Sequence, residues 1–320
     1  MENPRVFVTR RLPEPAQTRL LEAVDAEIWP EELPPSKEVL LEKVAGVDGL
    51  LCLLTDPVDG AVMDAAGTQL KVISNCAVGV DNIDLDAAAE RSIPVGNTPG
   101  ILTETTADFA FALLMSAARR VVEGDAYVRA GKWQTWELTL LLGQDVYGTT
   151  LGLVGFGRIG QAVAQRANGF GMQVLYYDPT HTSKPETPPA KQVDLETLLA
   201  ESDFVSLHTP LNESTYHMID AEAFNKMKPS AILINTARGG VVDPQALYTA
   251  LKARQIACAA LDVIEPEPIP PDDPLLTLDN LILTPHIASA SQATRLKMAQ
   301  MAVDNLLAGL AGEELPNRVV

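Results

Sequence analysis

The 320-residue sequence has few of the features that mark secreted or membrane-spanning proteins. Its three cysteines, Cys52, Cys76 and Cys258, lie far apart among apolar neighbours, which predicts reduced thiols rather than disulfides or metal ligands. Apolar stretches such as 50–54 and 109–118 are shorter than the roughly 20 residues that cross a bilayer. The first residues form neither the basic nor the apolar segment of a secretion signal, so we expect a cytoplasmic protein.

Basic residues are also scarce, because 24 Lys and Arg stand against 42 Asp and Glu, giving a net charge of −18 at pH 7. Nucleic acids and anionic lipid surfaces repel a chain of this charge, so we expect neither as a partner. Hydrophobic residues make up 47% of the sequence. This is enough for a substantial core, and the length favours two domains.

Short aliphatic runs alternate with longer amphipathic stretches, which is typical of parallel sheets covered by helices on both faces. The first set of strands is predicted at 5–9, 49–53, 71–74 and 93–95. The second set is predicted at 151–154, 173–177, 203–208, 231–235, 256–261 and 280–284. We therefore predict an α/β protein with two doubly wound parallel-sheet domains, the second with the six strands of a dinucleotide-binding sheet.

The stretch 105–129 between the two sets predicts one long helix. Thr105 and Asp108 have the spacing of a capping box, and the residues from Phe109 to Ala118 are apolar on nearly every side. Such a helix must be buried, either in a core between domains or in an oligomer interface, and these two interpretations are compatible.

A glycine motif follows the strand predicted at 151–154 and opens an amphipathic helix. In dinucleotide-binding folds the three glycines, here Gly155, Gly157 and Gly160, permit a tight turn, close approach of a pyrophosphate and close helix packing. Asp178 ends the next strand, where a carboxylate accepts hydrogen bonds from ribose hydroxyls. The motif in this context predicts a dinucleotide cofactor; the alternative is a glycine turn that only tightens the strand–helix junction.

Asp178 favours NAD over NADP, because its carboxylate would repel a 2′-phosphate. His181 and Lys184 follow in the next loop and leave NADP open as an alternative.

Three segments that follow late strands carry an arginine, a carboxylate and a histidine. Arg238 can hold a substrate carboxylate with its planar fork, and His286 can donate a proton to a carbonyl oxygen that receives negative charge. Glu265 or Glu267 can orient that imidazole and favour its protonated form, and the spacing does not choose between them. This set suits the reduction of a 2-oxo acid. Taken singly, Arg238 could equally be a phosphate contact, Glu267 a turn residue and His286 a core histidine.

The motifs resemble those of the D-2-hydroxyacid dehydrogenases, in particular the glyoxylate/hydroxypyruvate reductase branch. The resemblance is carried over nearly the whole chain by 6–10, 77–82, 97–100, 106–108, 155–160, 235–239, 262–263, 267–268 and 285–287. It implies that Arg238, Glu267 and His286 are the catalytic residues, which favours Glu267 over Glu265. Substrate contacts are implied for the backbone around Val78 and Gly79, as well as for Arg238 and His286. Cofactor contacts are implied for Thr106, Gly155, Gly157, Arg158, Ile159, Gly160, Asp178, Thr209, Pro210, Ala237, Asp262 and Ser289, with Asp262 facing the nicotinamide.

The resemblance also implies a Rossmann cofactor domain at 100–286 and a smaller, discontinuous flavodoxin-like substrate domain at 1–99 and 287–320. It places the active site in the cleft between the domains of a homodimer. Two departures from the branch stand out. Asp178 and Pro179 occupy the place where NADPH-using members often have a basic residue, and Trp136 lies in a shortened loop without the Trp-x-Pro pattern.

We therefore predict an enzyme that reduces glyoxylate to glycolate and hydroxypyruvate to D-glycerate with NADH, with small anionic oxo acids as substrates. Two alternatives remain open. One is an enzyme of the 3-phosphoglycerate dehydrogenase type, whose long forms carry additional regulatory sequence. The other is a non-enzymatic NAD-sensing interaction protein of the corepressor type, whose members carry long extensions.

Overall fold

A computed structural model describes residues 3–180 and 189–320, which form parallel sheets with covering helices. The strands are β1 (Arg5–Val8), β2 (Asp25–Ile28), β3 (Gly49–Cys52), β4 (Val72–Asn75), β5 (Val95–Gly96), β6 (Thr150–Val154), β7 (Gln173–Tyr177), β8 (Lys191–Gln192), β9 (Phe204–Leu207), β10 (Ile232–Asn235), β11 (Cys258–Leu261) and β12 (Leu281–Leu283). The helices are α1 (Glu14–Ala23), α2 (Lys37–Lys43), α3 (Gly60–Ala66), α4 (Leu85–Glu90), α5 (Thr103–Ala118), α6 (Val121–Arg129), α7 (Arg158–Gly169), α8 (Leu195–Glu201), α9 (Ala221–Lys226), α10 (Pro244–Lys252) and α11 (Gln292–Ala311).

The chain divides into two compact units, one formed by Met1–Leu102 with Ala290–Val320 and the other by Thr103–Ser289. The first, the five-stranded unit, has the sheet order β2-β1-β3-β4-β5, and the second, the seven-stranded unit, has the order β12-β11-β10-β9-β6-β7-β8. Every paired strand in both sheets is parallel. The predicted fold class, α/β with two parallel sheets, is confirmed.

In the five-stranded unit, alternate residues of the strands pack against helices on opposite faces of the sheet. Val6 and Val8 of β1 join a core with α1 and α11, whereas Phe7 joins a core with α2, α3 and α4. The C-terminal helix lies very close to the sheet, since a Cβ atom on Gly309 would be 2.5 Å from Val72 Cβ. The final residues then pair with β5, where the Val319 amide donates to the Val95 carbonyl at 2.7 Å.

In the seven-stranded unit, the strand order reverses between β6 and β9. The chain runs from β6 through β7 to β8 on one side, then returns to β9 and continues to β12 on the other. Helices α5 and α7 cover one face, and α8, α9 and α10 cover the other. Open parallel sheets bind ligands beyond the carboxyl ends of the strands at such a reversal, and the glycine loop after β6 lies there.

The single helix predicted at 105–129 is wrong, because the chain forms α5 and α6 with a break at Arg119 and Arg120. Arg120 has a φ of 52°, in the left-handed region, which ends α5 and redirects the chain. The expected burial holds for much of α5 but not for α6, which has no buried residue. The predicted cap also differs: α5 begins at Thr103, and Asp108 pairs with Arg166 of α7 at 2.6 Å.

Within residues 3–180 and 189–320, no helix is both long and apolar enough to span a membrane. All three cysteines are free. In the same described part of the chain, no cluster of three or more His, Cys, Asp or Glu side chains has an arrangement suited to a metal ion.

Candidate active site

The glycine loop joins β6 to α7, and its three glycines lie in different environments. Gly155 has a φ of 94°, and a Cβ atom there would lie 2.6 Å from the carbonyl oxygen of His208. A Cβ atom on Gly160 would lie 2.3 Å from the Gly155 carbonyl oxygen, so α7 packs directly on the loop. Around Gly157, in contrast, no protein atom beyond its own stretch of chain lies within 4 Å of the Cβ position. Two glycines are therefore required by packing, whereas Gly157 leaves its exposed side open to a ligand.

Helix α7 begins without a side-chain cap, as α1 and α6 also do. In seven other helices a Ser or Asp side chain accepts a hydrogen bond from an amide of the first turn; these caps are Ser36, Asp59, Asp84, Asp194, Asp220, Asp243 and Ser291. The N-cap of α7 is Gly157, which has no side chain to do so. Helix N-termini attract anions through their amides and dipole, and a dinucleotide pyrophosphate fits an end that no side-chain oxygen caps.

Asp178, which follows β7, is connected to the glycine loop. Its Oδ2 accepts a hydrogen bond from the Phe156 amide at 2.8 Å, and its Oδ1 accepts from the amide and hydroxyl of Thr180 at 2.9 and 2.7 Å. The carboxylate is half-buried beside the glycine turn. This position fits a contact with an adenosine ribose. His181 and Lys184, which left NADP open, lie outside the described residues.

The other predicted cofactor contacts of this unit are spread over several elements. Arg158 and Ile159 form the first turn of α7, Thr209 and Pro210 follow β9, and Ala237 follows β10. Thr106 is buried in α5, and Ser289 is the last residue of the unit.

Arg238, Glu267 and His286 follow three neighbouring strands, β10, β11 and β12. Parallel strands bring their carboxyl ends to one sheet edge, so the three segments share that edge. The buried Asn235 fixes the arginine segment, because its side chain accepts from the Ala237 amide and donates to the Arg238 carbonyl, both at 2.9 Å. The Arg238 side chain is half-buried.

Glu267, rather than Glu265, contacts His286. The Nδ1 atom of His286 lies 2.6 Å from Oε1 of Glu267, whereas Glu265 pairs with Nε2 of His217 at 2.7 Å. His286 has a φ of 54°. A left-handed backbone at a bulky residue is strained and persists where the surroundings enforce it, which is common at functional sites.

Hydrogen bonds to Asp262, at the end of β11, hold the backbone at His286 in this conformation. The sequence did not predict this role. The Asp262 carbonyl accepts the His286 amide at 2.9 Å. Its buried carboxylate accepts the Thr284 hydroxyl at 2.6 Å and the amides of Ile287 and Ala288 at 2.9 and 2.7 Å. The sequence predicted a nicotinamide contact for Asp262; the structure adds that this residue fixes the segment carrying His286.

His208 lies beside the glycine loop, and its imidazole Nε2 is 2.9 Å from the Ser206 hydroxyl. Burial lowers the pKa of His208 to about 3, so this imidazole is neutral at physiological pH. A neutral histidine behind the loop is consistent with a structural role.

Val78 and Gly79, the predicted backbone contacts for substrate, lie in the five-stranded unit after β4. The side-chain amides of two asparagines hold their carbonyls: Asn97 donates to Val78 at 2.8 Å and Asn75 to Gly79 at 2.9 Å. Trp136 lies in the other unit, and 77% of its surface is exposed.

Residues 111–288 match the family model for the D-isomer specific 2-hydroxyacid dehydrogenase NAD-binding domain. A glyoxylate reductase of Korarchaeum cryptofilum is 58% identical over 318 residues, which cover 99% of this chain and 96% of that protein. A crystal structure of a Thermus thermophilus protein is 52% identical with a TM-score of 0.92, covering 99% of this chain and 100% of that chain. An NADPH-dependent glyoxylate/hydroxypyruvate reductase of Sinorhizobium meliloti, solved with NADP and malonate, is 32% identical with a TM-score of 0.86. The match covers 100% of this chain and 97% of that chain.

Proposed function

Because the chain belongs to the D-isomer specific 2-hydroxyacid dehydrogenase family and is therefore an NAD(P)H-dependent oxidoreductase of small 2-oxo acids, we propose that it reduces glyoxylate to glycolate and hydroxypyruvate to D-glycerate. NADH is the preferred electron donor. Arg238 binds the substrate carboxylate, His286 donates the proton, and Glu267 orients His286.

The observation that carries this proposal is the common sheet edge of Arg238 and the Glu267–His286 pair. A guanidinium binds a carboxylate through two parallel hydrogen bonds, which fixes the orientation of a small oxo acid. The three side chains follow adjacent strands, and Asp262 links two of the segments by backbone hydrogen bonds to Asn235 and His286 at 2.8 and 2.9 Å. Both groups are thus fixed to the same rigid strands.

The hydrogen bond to Glu267 leaves one imidazole nitrogen for chemistry. Nδ1 of His286 faces the carboxylate, so Nε2 faces the substrate oxygen. As a hydride adds to the carbonyl carbon, the C=O π electrons move to oxygen, which takes the proton from Nε2 and becomes the hydroxyl group. Such general acid catalysis typically contributes about 10²–10⁴-fold, and the hydrogen bond to Glu267 keeps the ring oriented for the transfer.

The dinucleotide supplies the hydride when it is bound. The amides at the start of α7 and the open side of Gly157 would hold its pyrophosphate, and Asp178 would hold the adenosine ribose. The negative charge of Asp178 supports NADH over NADPH, because a 2′-phosphate would meet a like charge. The Sinorhizobium meliloti relative is NADPH-dependent, so the cofactor preference of this chain is tested directly in the assay below.

Glyoxylate as the first substrate is supported by the 58% identical glyoxylate reductase, and hydroxypyruvate by the glyoxylate/hydroxypyruvate reductase structure. Both are small 2-oxo acids with the carboxylate that Arg238 would bind. A 3-phosphoglycerate dehydrogenase would prefer phosphohydroxypyruvate, and an NAD-sensing interaction protein would turn over none of these acids.

A homodimer is part of the proposal, with α6 and the segment after it covered by a second copy. The apolar residues there are more than half exposed in the single chain; they are Val121, Val122, Val128, Trp133 and Trp136. A patch of this kind on a monomer is typical of a protein interface. Light scattering after size exclusion should give twice the 34.3 kDa chain mass, and Val128→Lys should shift the protein toward the monomer.

We place the enzyme in the cytosol, and the state of its cysteines supports this. Burial raises the pKa of both Cys76 and Cys258 to about 11, which keeps them as unreactive thiols. Free thiols of this kind are the rule in reducing compartments.

The test is a parallel assay of NADH and NADPH oxidation with glyoxylate, hydroxypyruvate, pyruvate and phosphohydroxypyruvate. We expect the highest kcat/KM for glyoxylate or hydroxypyruvate with NADH. A higher value for phosphohydroxypyruvate would replace the substrate assignment, and absence of turnover with all four acids would favour the sensor.

A further inference from the structure

A second histidine–glutamate pair lies two residues from the proposed catalytic pair. Nε2 of His217 is 2.7 Å from Oε2 of Glu265, and Glu267 is the partner of His286. Both pairs therefore act on the same loop, 264–268, from opposite ends. The reaction as proposed above uses one pair and leaves the other without a role.

The His217 imidazole is held in place by the backbone and by a ring contact. The His217 amide donates to the Gly240 carbonyl at 2.8 Å, and the Ile219 amide donates to the Val241 carbonyl at 3.1 Å. The ring stacks on Tyr216, with centroids 3.9 Å apart and planes 17° from parallel. His217 has a φ of 51°, close to the 54° of His286. The segment carrying His217 is thus bonded to the residues that follow Arg238.

The loop itself lies against the same residues. A Cβ atom on Gly239 would be 2.1 Å from the carbonyl oxygen of Ile264 and 2.7 Å from the amide nitrogen of Glu265. The backbone of 264–265 therefore crosses directly over Gly239, next to Arg238. From there, Glu265 reaches His217 and Glu267 reaches His286.

We propose that His217 and Glu265 form a positioning pair, which holds loop 264–268 so that Glu267 keeps its hydrogen bond to His286. This inference rests on the proposed roles of Glu267 and His286. The pair touches no reacting atom; it connects the segment after Arg238 to the loop that orients the acid.

The exposure of the pair argues against a main role in overall stability. The side chains of His217 and Glu265 are 28% and 38% exposed, and ion pairs with this access to water contribute little to the free energy of unfolding. A directed hydrogen bond at this place acts mainly on local geometry. Small displacements of catalytic groups have large effects on rate, so the pair is expected to affect kcat more than folding.

The experiment compares His217→Ala and Glu265→Ala with His217→Gln and Glu265→Gln. Each alanine variant should lower kcat for glyoxylate about tenfold, because the acid is no longer held in its productive geometry. The KM for NADH and the melting temperature should stay near those of the wild type. Each glutamine variant should recover most of kcat, since a side-chain amide can still donate to Glu265 or accept from His217.

A double-mutant cycle with Glu267→Ala shows whether His217 affects kcat through Glu267 or independently of it. If His217 acts through Glu267, adding His217→Ala to Glu267→Ala should cause no further loss of kcat. Lys226→Ala is the matched control, because it removes an exposed pair with Glu196 at 3.4 Å in the same unit and should leave kcat unchanged.

Nuclear magnetic resonance gives a readout that does not need turnover. The sequence has four histidines, so their ring ¹⁵N signals are resolvable in the protein without cofactor. His217→Ala should shift the Nδ1 signal of His286 and leave that of His208 unchanged. The inference is overturned by unchanged kcat in both alanine variants, or by equal losses of kcat with and without Glu267. An unchanged kcat in Glu267→Ala and His286→Ala would instead overturn the proposed catalytic roles.

Discussion

The Nδ1 atom of His286 lies 2.6 Å from Oε1 of Glu267, although the two residues are 19 positions apart in the sequence. This distance is that of a strong, charge-assisted hydrogen bond. It fixes which nitrogen of His286 remains for a substrate, and it depends on two loops that follow neighbouring strands.

Replacing His286 by Ala should lower kcat for glyoxylate by about 10²–10⁴-fold, because the substitution removes the proton donor. The NADH dissociation constant, measured by fluorescence titration, should stay within about twofold of the wild type. Glu267→Gln should lower kcat less, because the amide oxygen still accepts a hydrogen bond from Nδ1 although the negative charge is removed. A kcat near the wild-type value in His286→Ala would remove this residue as the acid.

Replacing Arg238 by Lys should lower kcat/KM for glyoxylate, since an ammonium group lacks the planar fork. Arg238→Ala should cost more, about 2–5 kcal/mol of transition-state binding, and should mostly raise KM. Steady-state kinetics over a range of glyoxylate concentrations provides both constants. A wild-type kcat/KM in Arg238→Ala would show that another group binds the carboxylate.

The glycine loop allows a comparison between two neighbouring alanine variants. Gly160→Ala should lower the free energy of unfolding by about 1–3 kcal/mol, because its Cβ atom would lie 2.3 Å from a backbone oxygen. Gly157→Ala should change that free energy by about 1 kcal/mol or less, since its Cβ atom would meet no protein atom beyond its own stretch of chain within 4 Å. It should nevertheless weaken NADH binding about tenfold or more, because the methyl group occupies the approach of the pyrophosphate. Urea unfolding and NADH titration of both variants provide the test; normal NADH affinity in Gly157→Ala would contradict the site.

Replacing Asp178 by Asn should reduce the preference for NADH over NADPH by about tenfold, because the like charge facing a 2′-phosphate is removed. The asparagine oxygen can still accept from the Phe156 amide, which is bonded at 2.8 Å in the wild type. The readout is the ratio of kcat/KM for the two cofactors with glyoxylate fixed. An unchanged ratio would mean that Asp178 does not face the ribose.

His208 predicts a pH dependence of stability. Burial lowers its pKa in the folded protein to about 3, whereas an unfolded histidine titrates near 6.5. Between these values the unfolded chain binds a proton that the folded chain does not, so stability falls as the pH falls below about 6.5, by up to about 1.4 kcal/mol per pH unit from this residue. Urea unfolding of the wild type and His208→Gln at pH 7 and pH 5 should show the smaller pH effect in the variant. An equal change in the free energy of unfolding between pH 7 and pH 5 in the two proteins would contradict a buried neutral imidazole.

Much of the fold and the family could be predicted because the signals are local. The alternation of aliphatic runs and helices predicted the two parallel sheets, and the resemblance to the D-2-hydroxyacid dehydrogenases, read from short motifs, is confirmed. Two edge strands were missed. β2 has the sequence DAEI with half of its residues exposed, and β8 is two exposed residues long, so neither has the hydrophobic pattern of a strand.

The remaining differences depend on tertiary contacts. The break between α5 and α6 falls at two arginines, with neither Gly nor Pro to mark it. Glu265 and Glu267 have the same local surroundings, each before a proline, so spacing alone did not distinguish them. The resemblance favoured Glu267, which contacts His286 in the structure, whereas Glu265 contacts His217. His217 is 48 residues from Glu265 in the sequence, so no spacing could have predicted that pair.

The hydrogen bonds of Asp262 bear on how this enzyme can change its substrate. The carbonyl of Asp262 accepts the His286 amide, and its carboxylate accepts the amides of Ile287 and Ala288. The main chain at His286 is therefore fixed from the end of β11, while loop 264–268 orients the imidazole through Glu267. Variants that widen or recharge the surroundings of the oxo acid can therefore be selected while the proton donor stays where it is. A library that spares Arg238, Asp262 and loop 264–268 should therefore change specificity and still yield many active members.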